Sequence, residues 1–484
     1  MLNDEDFVLL TDLYELTMAQ GYWTQGKADE IASFTMYFRK NPFNGGYAIA
    51  CGMASLAVIV QNFRFTQSQL EYLASLRAAD NSLLIKPDFL KYLKDLKLSV
   101  NIDAVKEGSV VFANDILVRV TGPLLECQIL ETVLLNCINF QTLIATKASR
   151  VSMQAHPSSV AEFGLRRAQG PSGGLWASRA SIVGGCVSTS NVLAGQKYGV
   201  KVTGTHAHSW IMSFDDEITA FREYAKAMPN NCIFLVDTYD VEQGMKNAIT
   251  VGLEMKARGE KLIGIRIDSG DLAWLSIKAR KMLDEAGFHD CTITASNDLD
   301  EYTVKSLKEQ GARIDAYGVG TKLACAADQP SLGGVYKLNA IRDSGNGSWK
   351  PCLKLSSQSS KLTVPGVLGT KRFVSSDGKF QGDMIYDVNA ACTNVIIDPH
   401  DSLSHKDLSG LYSYDILEPL VVNGQSVLSD TDACVITSAK RAKEQLEFLD
   451  PTCKRLLNAH KYPVGLDSKL FQHRLDIIEK LQNK

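Results

Sequence analysis

Between about residues 155 and 340 the sequence settles into one rhythm, a short apolar run followed by an amphipathic helical stretch, and nothing else in the chain restricts its fold as much. Strand-like runs at 159–163, 199–203, 232–236, 262–267, 291–295 and 314–317 alternate with helix-like stretches at 215–227, 241–258, 272–286 and 299–310. Such alternation predicts a parallel sheet or barrel with helices packed outside it. In folds of that kind function gathers at the carboxyl ends of the strands. The runs here do end in polar residues: Asp237-Thr238-Tyr239, Asp268-Ser269-Gly270-Asp271, Ser296-Asn297-Asp298 and Gly318-Val319-Gly320-Thr321. His208, within Gly204-Thr205-His206-Ala207-His208-Ser209-Trp210, follows the run at 199–203 and joins the same set.

The flanking regions lack this rhythm. Residues 11–23 have helical periodicity, with Thr11 or Asp12 as the cap. The alternating run 31–38 predicts a strand ending in the basic turn Arg39-Lys40-Asn41-Pro42-Phe43-Asn44-Gly45-Gly46. A hairpin is expected over 108–120, an apolar helix over 124–149, strands and Gly/Ser-rich loops after 334, and helix from 437 onward with a break at Pro451. At 484 residues the chain exceeds one hydrophobic core. The expected organisation is a mixed α/β domain at 1–125, an α/β barrel at 126–340, and a segment 341–484 that partly returns to the first domain.

Charge and cysteine content exclude several classes of function. With 51 basic and 54 acidic side chains the net charge is -3, which argues against a nucleic-acid partner but leaves room for a small anionic ligand. The acidic start Met1-Leu2-Asn3-Asp4-Glu5-Asp6 and the lack of an apolar run of membrane-spanning length predict a cytoplasmic protein without a membrane partner. Eleven scattered cysteines without a C-x-x-C pair read as reduced thiols rather than a zinc site.

Several constellations at the strand ends carry chemistry. In Glu162-Phe163-Gly164-Leu165-Arg166-Arg167, two arginines offer donors to a phosphate or carboxylate and Phe163 offers a face to a flat ring; the alternative is a surface ion-pair network with Phe163 in the core. His208 is a candidate nucleophile toward a phosphoryl group, with Asp237 a candidate to fix its tautomer, although a lone histidine is more often only a satisfied polar residue. His206 and His208, two apart on extended chain, point to opposite faces, which disfavours a shared metal. Arg266 and Asp268 share one face and can hold ribose hydroxyls or Mg²⁺ beside a diphosphate, while Ser269 or Asp271 caps the following helix. Gly318 and Gly320 before Thr321 suit a phosphate held by backbone N–H groups, or a plain turn. Lys354 and Lys361 can cap a diphosphate or remain solvated.

Taken in order, Thr11-Asp12-Leu13-Tyr14-Glu15-Leu16-Thr17-Met18, Phe38-Arg39-Lys40-Asn41-Pro42-Phe43, Glu162 through Gly170, Gly204-Thr205 with Ala207-His208-Ser209, Arg266 through Asp271, Ser296-Asn297 and Gly318-Val319-Gly320-Thr321 resemble the nicotinate phosphoribosyltransferase family. The resemblance runs to about residue 366. It implies a type II phosphoribosyltransferase with an irregular TIM-like α/β barrel plus a mixed α/β domain formed by the N-terminal region and returning chain, acting as a homodimer with a shared active site. The implied reaction joins nicotinate to 5-phosphoribosyl 1-diphosphate, with ATP hydrolysis coupled to it and Mg²⁺ as cofactor, carried by the diphosphate with Asp268 a candidate ligand. His208 matches the histidine that ATP transiently phosphorylates. Tyr14, Thr205 and Arg266 match the nicotinate site, Tyr14 reaching in from the other subunit, and Phe163 matches the ring-stacking partner. Gly318, Gly320 and Thr321 match the phosphoribosyl site, where Arg39, Lys40, Arg166, Ser296, Asn297, Lys354 and Lys361 are also expected. Asp237 and Asp268 match acids that serve the histidine and the ribose or metal.

Three alternatives stay open at this point. Nicotinamide-specific relatives carry an acid after the Gly-Thr pair where this chain has His206, which favours a carboxylate substrate. A quinolinate-specific enzyme would want extra cations, which Arg166 and Arg167 can supply. A non-catalytic nucleotide-binding relative would be expected to have lost His208, Arg266 or Asp268, and all three are present.

Overall fold

A computed structural model describes residues 4–345, 347–355 and 362–483, so Lys361 lies outside the described residues. The chain packs into two compact units, Met1–Thr146 with Ser331–Lys484, and Lys147–Pro330.

In the second unit six strands form a curled sheet, half of a barrel, in the order Ser188–Thr189, Ser159–Glu162, Ala316–Val319, Thr292–Ser296, Leu262–Ile267 and Cys232–Leu235. Every pairing is parallel, so all the carboxyl ends lie along one rim. The helices Glu217–Ala227, Val241–Ala257, Leu272–Glu285 and Glu301–Glu309 each begin at an aspartate, Asp216, Asp240, Asp271 and Asp300, whose side chain accepts a backbone N–H of the first turn. Each cap satisfies an otherwise open amide, worth about 1 kcal/mol, and pins the loop that precedes the helix. Val241–Ala257 buries Met245, Ala248, Val251 and Met255 along one stripe. The expected alternation is therefore present, with one exception. The run at 199–203 contributes only an isolated bridge from Val202 to Thr189, because Gly199 ends the preceding helix in a left-handed turn with φ 64°. Its expected place in the sheet is taken by Ser188–Thr189.

The first unit interleaves N-terminal and C-terminal chain. Ile31–Phe38 pairs with Val118–Pro123 on one side and with Gly334–Arg342 on the other, in a seven-stranded sheet. Phe34 stacks on Tyr336 across that pairing, with ring centroids 4.8 Å apart. A second, six-stranded sheet is built wholly from chain beyond residue 367, and includes Leu368–Val374, Phe380–Asp387 and Val464–Asp467. The hairpin expected over 108–120 does not form. Val110–Val111 pairs with Ala48–Ile49 instead, and Val118–Pro123 joins the larger sheet. Helix beyond 437 is also interrupted by the strand Val464–Asp467, whose four residues are all buried.

The apolar stretch at 124–149 is helical, as Leu124–Gln128 and Glu131–Ala155. Contrary to expectation, Leu124–Ala155 is long and apolar enough to cross a membrane by length and composition, but 67% of its most apolar window is buried within the protein, as a core helix would be. Its C-terminal part is tied to the barrel unit's own helix Glu301–Glu309. The Glu301 carboxylate meets Lys147 Nζ at 2.7 Å and Arg150 Nε at 2.8 Å, with all three side chains at most 2% exposed. Removing the acid takes the carboxylate away from two buried cations, and breaking a buried pair in this way costs about 3–5 kcal/mol. Glu301→Ala is therefore expected to lose about that much stability, read as a shift of the denaturant midpoint at constant slope; a shift equivalent to under about 1 kcal/mol would contradict this.

Candidate functional site

The rim is organised around Arg266, at the end of Leu262–Ile267. Its Nε donates to Ser296 Oγ at 2.8 Å, Nη1 to Thr205 Oγ1 at 3.2 Å and Nη2 to Asp268 Oδ1 at 2.8 Å. One guanidinium thus binds the ends of two neighbouring strands and the loop before His208. A guanidinium has five N–H donors, so one remains on each terminal nitrogen, the arrangement that can grip a carboxylate with two hydrogen bonds. The guanidinium carbon also lies 5.6 Å from the centroid of the Phe163 ring. Phe163 in turn packs close to Gly318, where an added Cβ would come within 2.5 Å of the ring. Glycine is required there by this close approach.

Asp268 also accepts from Ser296 Oγ. Burial pushes its carboxyl up, but the Ser296 hydrogen bond and the Arg266 charge outweigh burial and hold it below the usual carboxylate range. It is an anion at neutral pH. Its free oxygen Oδ2 lies 3.9 Å from His208 Nε2. His208 begins the short helix His208–Met212 and is partly exposed, with Nδ1 hydrogen-bonded to Thr238 Oγ1 at 3.1 Å. Asp237 does not make the contact to His208 that the sequence suggested. Its Oδ2 accepts from the Asp268 backbone N–H at 2.9 Å and from Ser269 Oγ at 2.6 Å, bracing the next strand end, while Oδ1 is buried and unpartnered among the described residues. Thr238, and not Asp237, is the side chain hydrogen-bonded to His208, and a hydroxyl beside an aspartate attracts less notice in a sequence than the acid does. Asp271 caps Leu272–Glu285 by accepting from the Trp274 N–H, as expected.

His206 faces away from this cluster. It is buried in an aromatic box with Phe221, Tyr224 and Phe234, and its Nε2 accepts the Leu235 backbone N–H at 3.2 Å, covering the free edge of the outermost strand. His206 is therefore not placed to contact a ligand at the Arg266 cluster.

Of the remaining candidates on this unit, Ser296 is buried in the cluster, while Arg166, Asn297 and Thr321 are exposed on the same set of loops. Asn297 adopts φ 96°, a left-handed backbone that asparagine tolerates better than most residues. Gly320 is the N-cap of the four-residue helix Thr321–Ala324. Tyr14, Arg39, Lys40 and Lys354 belong to the other compact unit. There Tyr14 is 45% exposed, and burial together with the neighbouring Glu131 carboxylate raises its phenol above the usual range. Arg39 lies 5.9 Å from the Tyr37 ring centroid, and Lys40 and Lys354 are exposed.

Comparison with known proteins gives matches along the chain. Family models match in three parts: the nicotinate phosphoribosyltransferase N-terminal domain at residues 9–139, the nicotinate phosphoribosyltransferase family at 158–375, and the nicotinate phosphoribosyltransferase C-terminal domain at 370–474. A nicotinate phosphoribosyltransferase of Bacillus subtilis is 41% identical over 488 residues, covering 100% of this chain and 97% of that protein. The one from Homo sapiens is 36% identical over 433 residues, covering 78% of this chain and 79% of that protein. The crystal structure of human nicotinic acid phosphoribosyltransferase superposes with a TM-score of 0.83 at 31% identity, covering 96% of this chain and 99% of that one.

Burial pushes the His206 imidazole down to about 4 from its ordinary 6.5. Between those values the unfolded chain takes up a proton that the folded ring refuses, so stability falls as the pH drops through that window, by up to about 3 kcal/mol. His206→Gln is expected to flatten this limb when denaturant midpoints are compared at pH 7 and pH 4.5. Identical pH dependence in wild type and variant would contradict the assignment.

Proposed function

The chain belongs to the nicotinate phosphoribosyltransferase family, and from that premise we propose that it moves the 5-phosphoribosyl group of 5-phosphoribosyl 1-diphosphate onto the ring nitrogen of nicotinate, a step of NAD salvage. The N–C bond forms as the C1–O bond breaks, and its electron pair leaves on diphosphate. The products are nicotinate mononucleotide and diphosphate. The observation that carries this reading is the Arg266 fork lying over Phe163, which offers two N–H donors to a carboxylate beside an aromatic face. Bond breaking at C1 builds positive charge on the sugar, and the Asp268 carboxylate, held ionised on this rim, is suited to stabilise it.

Mg²⁺ bound to the diphosphate fits the donors available. Asp237 Oδ1 has no hydrogen-bond partner among the described residues, and Asp268 Oδ2 is free of the contacts that engage Oδ1. Those two oxygens would hold it, and no group of three or more ligating side chains is present among the described residues, so water and phosphate would complete its shell. Bound there, it would neutralise charge on the leaving diphosphate.

ATP enters through His208. If the Thr238 hydroxyl accepts from Nδ1–H, the Nε2 lone pair is left to attack the γ-phosphorus, with ADP leaving. Phosphohistidine would add charge beside the diphosphate site and bias the loops toward productive binding until water hydrolyses it. The proposal includes a cytoplasmic homodimer in which the exposed Tyr14 of each copy completes the nicotinate site of the other. Arg39, Lys40, Arg166, Asn297, Gly318, Gly320, Thr321 and Lys354 are proposed to bind the phosphoribosyl and diphosphate groups.

Parallel assays of mononucleotide formation from nicotinate, nicotinamide and quinolinate test the substrate. Nicotinate alone is expected to turn over well, and comparable turnover of nicotinamide would overturn the assignment. With labelled γ-phosphate of ATP, wild type is expected to carry an acid-labile, base-stable label that His208→Ala lacks. That variant should keep slow activity indifferent to ATP, and an ATP-stimulated variant would contradict the role given to His208.

A further inference from the structure

Behind Phe163 lies a closed polar ring that the reaction above leaves unused. Glu162, the last residue of its strand, is fully buried, and among the described residues the hydrogen bonds it receives come from neutral donors: Gly164 N–H to Oε1, and Ser178 Oγ at 2.9 Å and Thr189 Oγ1 at 2.6 Å to Oε2. Asn191 closes the ring by donating Nδ2 to Ser178 Oγ at 3.1 Å and its backbone N–H to Thr189 Oγ1 at 3.0 Å. All four side chains are at most 4% exposed. They come from the strand Ser159–Glu162, the helix Gly170–Val183, the strand Ser188–Thr189 and the N-cap of the helix Val192–Tyr198.

The ring has one sense. Each hydroxyl accepts from Asn191; the Thr189 proton then points to Glu162 Oε2, while Ser178 Oγ is shared between Glu162 and the Gly174 carbonyl at 3.0 Å, so the Gly164 N–H on Oε1 and the Thr189 hydroxyl on Oε2 together require an acceptor with two oxygens. Glutamine would place an N–H₂ against a donor. The turn it holds has no slack, since an added Cβ at Gly164 would strike Ala324 and the Gly320 carbonyl, while Phe163 already fills the space over Gly318. The Phe163 N–H is likewise fixed, donating to Val319 O at 2.8 Å.

We propose that Glu162 is a positioning residue, its ring of Ser178, Asn191 and Thr189 clamping the Phe163–Gly164 turn so that the Phe163 face is presented to a planar aromatic acid beneath Arg266. The inference rests on the reading of this rim as the nicotinate site. Loosening the clamp moves the aromatic face relative to the guanidinium and weakens binding of the ring, with little effect on the phosphoribosyl donor.

The test compares Glu162→Gln and the milder Ser178→Ala with wild type in the full chain, by steady-state kinetics and by amide hydrogen exchange. Glu162→Gln is expected to raise KM for nicotinate about tenfold or more, while KM for 5-phosphoribosyl 1-diphosphate stays within about twofold and kcat falls less than about threefold. Ser178→Ala should move nicotinate KM in the same direction by about threefold, and it carries the test if Glu162→Gln does not fold. The Gly164 N–H should exchange faster in both variants, with exchange in the helix Val241–Ala257 unchanged. Unchanged nicotinate KM, or a parallel loss in kcat and both KM values, would overturn the proposal. If wild type fails to turn over nicotinate, the functional reading fails, and Gly164 exchange still decides whether the clamp exists.

Discussion

The site depends on a single guanidinium. Arg266 reaches Ser296, Thr205 and Asp268 with three of its five donors and lies over Phe163. Each partner comes from a different segment, so the loops of the rim share one reference point. A partly buried cation is costly unless paired and hydrogen-bonded, and here Asp268 supplies the charge and the two hydroxyls take one donor each, leaving two donors open on the rim. The Ser296 hydrogen bond and the Arg266 charge together hold Asp268 ionised against burial, so the cluster that shapes the rim also sets the charge on its acid. Lysine at this place would keep the charge but lose the planar fork.

The alternation of the barrel unit was legible in the sequence because its strands are short apolar runs separated by helices of regular period. The strand at 262–267 and the cap at Asp271 lie where the pattern put them. The run at 199–203 was misleading because Val200 and Val202 follow the glycine that ends a helix, and local apolarity cannot say whether a neighbouring strand has room to pair with them. The hairpin expected over 108–120 fails for a similar reason. Pairing partners as distant as Gly334–Arg342 and Ile31–Phe38 are chosen by tertiary packing, and no local signal announces them.

Site chemistry was legible where charge marks it. The juxtaposition of Arg266 with Asp268 follows from two-residue spacing on a strand. The residues that orient these groups were harder to see, because they are neutral or buried. Thr238 in place of Asp237 beside His208, and the aromatic box that turns His206 away from the rim, depend on where side chains converge in space. Ser178 and Asn191 carry no motif at all, and only the folded chain brings them to Glu162.

The most direct measurement of the central claim is equilibrium binding of nicotinate and nicotinamide to wild type and Arg266→Lys by calorimetry. If the fork over Phe163 reads the carboxylate, the lysine variant loses about tenfold or more in nicotinate affinity, some 1.4 kcal/mol, and its preference over nicotinamide narrows by a similar factor. A folded Arg266→Lys that binds nicotinate as tightly and as selectively as wild type would contradict the account.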